Sequence, residues 1–60
     1  RAPKQNERAV AQDFAEELKQ SASVESAVVA VAKRHKISTA SVYAYSKRVA
    51  AYEQASEGTD

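Results

Sequence analysis

Val31-Ala32-Lys33-Arg34-His35-Lys36-Ile37-Ser38-Thr39-Ala40-Ser41-Val42-Tyr43 joins one helix-forming segment to another with almost nothing between them. Upstream, Val24, Val28, Val31 and His35 share one face at helical spacing, and downstream Val42, Tyr45, Val49 and Tyr52 do the same. Ser38 suits the start of the downstream helix, because its hydroxyl can accept a backbone N–H that the first turn leaves without a partner. Three residues, His35 to Ile37, lead to that cap. So short a connection forces the two helices to cross steeply, typically at about 90–120°, which is a helix-turn-helix. Ala32 is small where the helices approach, and Ile37 can plug the turn into the core.

Working outward, the spacing predicts an upstream helix over 24–35 capped by Ser23, and a downstream helix from Ser38 to about Gln54. A further helix is expected from about Glu7 to Ser21 with Asn6 as its cap. Its inward stripe is Val10, Phe14 and Leu18, flanked by Ala11, Ala15 and Ala22, with Asp13, Glu16, Lys19 and Gln20 on a solvated opposite face. Alternating strand-type runs are absent and alanine is abundant, so the fold class is all-α, a small three-helix domain. Residues 1–5 are expected to form a flexible basic arm, 6–55 the domain and 56–60 an acidic tail.

Composition narrows what such a domain can do. The 60 residues include no Cys and one His, which removes disulfides, thiolate metal sites and His-pair zinc patterns, so no cofactor or metal is expected. No apolar run approaches the roughly 20 residues that cross a bilayer. There is no Gly-rich phosphate loop and no Ser-His-acid grouping that helices would bring together, so neither an enzyme nor a small-molecule substrate is expected. The net charge of +1 conceals a segregation. Five cations, Lys33, Arg34, Lys36, Lys47 and Arg48, lie in a stretch from Ser26 to Tyr52 without a single acid, while acids gather before Ser26 and after Tyr52. A partner responds to such local fields within a Debye length of about 8 Å at physiological salt.

The segment from Val31 to Tyr43 resembles the helix-turn-helix of homeodomain-like DNA-binding domains in bacterial and phage transposases, phage Mu type among them, and in site-specific invertases. The resemblance rests on Ala32, His35, Ile37, Ser38, Val42 and Tyr43 and covers about 25 of the 60 residues, from Val28 to Tyr52. It implies a DNA-binding part of a larger transposase, repressor or other DNA-organising protein, cytoplasmic and nucleoid-associated. Such families commonly place glycine in the turn where Lys36 stands. They often carry Arg on the exposed face of the third helix, where this chain has Ala44 and Ser46, which predicts weak guanine readout.

The residues themselves also point to double-stranded DNA. A major groove admits one helix, whose short or flat side chains approach base edges and whose cations meet phosphates. Thr39, Ala40, Tyr43, Ala44 and Lys47 are the candidate base-contacting residues, with Tyr43 pointing away from the core. Lys33, Arg34, Lys36, Ser38, Ser41 and Arg48 are the candidate phosphate-contacting residues. Arg1 and Lys4 form a candidate minor-groove arm. Phosphate contacts position and base contacts specify, so useful discrimination would need a dimer or a tandem domain in the parent protein. The alternative is a helical protein-interaction module using the acidic first helix or the alanine-rich outer face of the third.

Overall fold

The computed structural model describes residues 2–58, with side chains from Ala2 to Ala55. Three helices pack around one core: α1 (Gln5–Gln20), α2 (Val24–His35) and α3 (Thr39–Gly58). Among the described residues there is no strand, and no helix is long and apolar enough to cross a membrane.

Helix α1 starts earlier than its sequence suggests. Asn6 lies inside the first turn, and Lys4 holds the cap position. Lysine offers no side-chain acceptor there. Glu7 turns back instead, its Oε1 accepting the Lys4 backbone N–H at 3.1 Å, which is the acidic half of a capping box. Pro3 is buried, and α1 takes in Gln5, the last residue of the expected arm; Arg1 lies outside the described residues. At the other end of the chain α3 continues past Gln54 to Gly58. Of the expected acidic tail, residues 56–58 therefore have helical backbone, and their side chains and residues 59–60 lie outside the described residues.

The expected serine starts of α2 and α3 are both present, and the connection to Ser38 is two residues, Lys36 and Ile37, because His35 still belongs to α2. Ser23 Oγ accepts the Ser26 N–H at 3.2 Å, and Ser38 Oγ accepts the Ser41 N–H at 3.1 Å. Between them, α2 ends in a Schellman motif: Ile37 N–H donates to the Ala32 carbonyl at 3.0 Å and Lys36 N–H to the Lys33 carbonyl at 3.3 Å. That geometry puts Lys36 in the left-handed region, at φ 58° and ψ 46°. Ile37 follows and packs against the core, closing the turn from below.

The core consists of Val10 and Phe14 from α1, Ala27, Val28, Val31 and Ala32 from α2, and Val42 from α3, with Tyr45 packed beside them. Val49 continues the α3 stripe, and Tyr52 is half-buried beyond it. Two expected core residues are not in it: Val24 is 50% exposed and Leu18 is 38% exposed. Val24 belongs to the first turn of α2, and the buried face of that helix is carried by Ala27 and Val28 instead. Leu18 is displaced by a rotation of α1. At about 100° per residue Asp13 and Glu17 flank the Val10–Phe14 stripe on one side, and Ala11 and Ala15 flank it on the other. The helix turns its carboxylate flank towards α2, leaving Ala15 and Leu18 outside.

Candidate nucleic-acid interface

The outer face of α3 is built by the phase of its core stripe. With Val42 fully buried, Tyr45 half-buried and Val49 buried, the helix presents Thr39, Ala40, Tyr43, Ala44 and Lys47 on its exposed side. These five candidate base-contacting residues are thus brought onto one surface. Tyr43 differs from the expectation that it points away from the core. The residue is 40% exposed, yet its ring packs against that of Phe14 with centroids 5.8 Å apart and planes at 87°. It stands at the rim, tying the exposed face to α1 through a T-shaped contact.

The cations of this surface, which are the candidate phosphate contacts together with the candidate base-contacting Lys47, divide into two groups. Lys33, Lys36 and Lys47 are exposed and make no ion pair among the described residues. The two arginines are held by carboxylates of α1. Arg34 donates from Nη1 to Asp13 Oδ1 at 2.6 Å and from Nη2 to Glu17 Oε2 at 3.0 Å. Arg48 lies 3.5 Å from Oε2 of Glu7, a side chain almost wholly buried. Ser38 and Ser41 are engaged as well, since their hydroxyls share a 3.0 Å hydrogen bond in addition to the cap. Lys4 is exposed at the α1 cap, and the remaining arm residue, Arg1, lies outside the described residues.

Asp13 was expected on the solvated face of α1, and the structure corrects this. His35 donates from Nε2 to Asp13 Oδ2 at 2.9 Å while Arg34 takes the other oxygen, so both lone-pair-bearing atoms of the carboxylate face α2. Burial pushes this carboxyl upwards, but the hydrogen bonds from Arg34 and His35 outweigh it and hold Asp13 below the ordinary carboxylate range. The same contacts, Glu17 first and then Asp13, make the Arg34 guanidinium hold its proton more tightly than usual. His35, at the end of the apolar stripe of α2, is half-buried and has its Nε2 engaged by this carboxylate.

The carboxylates that hold the arginines were not singled out as functional in the sequence. A signal was present: Asp13 and Glu17 are four residues apart, a spacing that places two carboxylates on one helix face. Among the described residues no group of three or more His, Cys, Asp or Glu side chains is arranged to hold a metal ion. A second surface lies between α1 and α3, a groove of about 590 Å³ lined by Ala11, Ala15, Leu18, Val49 and Ala50 among others. Arg8 closes one side of it, with its guanidinium 5.7 Å from the centre of the Tyr52 ring, a cation–π contact. No protein-family model matches this chain, and neither a curated protein nor a solved structure matches it.

Proposed function

We propose that the chain is a double-stranded DNA-binding module that lays the exposed face of α3 in the major groove, with α2 and α3 acting as a helix-turn-helix. One observation carries the reading. The last turn of α2, the connection after it and the outer face of α3 each bear one exposed lysine without an ion pair among the described residues, in a stretch that contains no acid. Lys33, Lys36 and Lys47 meet phosphates, and the Ser38 and Ser41 hydroxyls lie at the positive end of α3, where anions are favoured. Thr39, Ala40 and Ala44 offer methyl groups to thymine, and Tyr43 offers a flat ring at the rim. With no arginine on that face, sequence discrimination comes from a second copy or from a tandem domain of a larger transposase, repressor or nucleoid-organising protein.

Titrating the protein into a labelled mixed-sequence duplex across a salt series tests this. Three lysine–phosphate contacts give a log–log slope of about −3, at roughly 0.9 per contact. Binding that ignores salt, or no binding at low salt, ends the reading. The apolar groove beside Leu18 favours a second reading, a module that receives a partner helix. That reading expects no duplex binding at low salt.

A further inference from the structure

Five cations surround the proposed interface, but the fold engages two of them with its own carboxylates. The two cases differ. Glu7 is almost fully buried and also caps α1, so its contact with Arg48 at 3.5 Å belongs to the scaffold. Arg34 is half exposed, at 50% of its side chain, and its guanidinium lies against Asp13 and Glu17 at the water-facing edge of the α1–α2 contact. A phosphate group, with two non-bridging oxygens, offers a guanidinium paired acceptors as these two carboxylates do. Asp13 is also fixed by His35, whereas the Glu17 side chain has Arg34 as its one hydrogen-bond partner among the described residues.

We propose that Asp13 and Glu17 are built-in competitors of DNA phosphate for Arg34, keeping that cation out of the duplex contact and holding affinity below what the charge block would deliver. The inference rests on the DNA-binding reading. It assigns the acidic flank of α1 a role in setting affinity, with Glu17 as the residue that sets it.

The salt series on the full chain decides it, with folding checked by thermal unfolding. Wild-type protein gives the slope of about −3, and Arg34→Gln leaves that slope unchanged because Arg34 is already withheld. Glu17→Gln loosens one of the two holds on the guanidinium. Its slope steepens by about 0.9 and its affinity near 0.1 M salt rises roughly 3- to 10-fold, the effect of one added phosphate contact. Adding Arg34→Gln to Glu17→Gln returns both quantities to the wild-type values. An unchanged slope in Glu17→Gln, or a loss of about 0.9 in Arg34→Gln alone, overturns the proposal while leaving DNA binding intact. Absence of wild-type binding overturns the DNA reading itself. Should Glu17→Gln fail to fold, the Arg34→Gln arm still gives one answer or the other.

Discussion

Helices α2 and α3 begin with the same device and then differ in the charge of their first turn. In Ser23-Val24-Glu25-Ser26 and in Ser38-Thr39-Ala40-Ser41, the first serine accepts the N–H of the second, at 3.2 and 3.1 Å, and the two hydroxyls bond at 3.1 and 3.0 Å. The third residue is an acid in α2 and an alanine in α3. An acid in the first turn is favourable against the positive end of a helix, worth about 0.3–1 kcal/mol. Helix α1 also carries one there, Glu7, and α3 carries none. The serine cap is therefore enough to start a helix in this fold. What α3 lacks is charge compensation, and it lacks it at the end of the molecule where the proposed phosphate contacts lie.

The comparison presumes that both helices rest on one shared core, and that is the first thing to break. Val31 and Val42, one on each side of the turn, are fully buried. Truncating either to alanine removes two methyl groups and leaves a cavity, so each of Val31→Ala and Val42→Ala should lower stability by about 2–3 kcal/mol in urea unfolding. Equal losses with an unchanged denaturant slope fit a single cooperative unit. A loss confined to one of them would separate the two helices energetically.

A smaller effect is expected at the turn between them. Lys36 adopts a left-handed conformation that costs a residue with a Cβ about 1–2 kcal/mol relative to glycine. Lys36→Gly should therefore raise the unfolding free energy by about 1 kcal/mol, while removing one phosphate contact and flattening the salt slope by about 0.9. A destabilised Lys36→Gly protein would mean that the lysine stem holds the turn by packing, and the two helix starts could no longer be compared as independent of it.

Much of this geometry was legible in the residues. The helix starts at Ser23 and Ser38 follow from short hydroxyl side chains placed before apolar periodic segments, and the α3 stripe follows from a spacing that no other phase of the helix satisfies. The left-handed conformation of Lys36 was not legible in the length of the connection, and a lysine there, where similar families place glycine, gave no sign of it. The start of α1 was not legible, because its cap works from three residues downstream through Glu7 and not from a side chain at the cap position. Nor was the fate of the arginines. With Leu18 counted in the inward stripe of α1, Asp13 was placed on the solvated face, and the pattern along one helix does not say which flank turns towards its neighbour. That choice is made by pairing across α1 and α2, between residues 21 and 17 positions apart in the chain.

The sharpest use of the comparison is to give α3 the acid that α2 already has. Ala40 occupies the position of Glu25, is exposed, and has helical backbone, so Ala40→Glu introduces no steric conflict and no buried charge. A carboxylate there faces the positive end of α3 and should stabilise the fold by about 0.3–1 kcal/mol, the smallest of the expected changes in stability. On the proposed interface the same carboxylate confronts phosphates and offers the nearby lysines an internal partner, so duplex affinity should fall, most steeply at low salt, where like-charge repulsion is least screened. Stability and binding then move in opposite directions from one substitution. A protein that becomes more stable and binds duplex as before would place the contact on another surface; one that loses both would show that Ala40 is needed for packing. Placing the matching change in α2, Glu25→Ala, completes the exchange: a small loss of stability with little change in duplex binding locates the effect at the start of α3 and not in the overall charge.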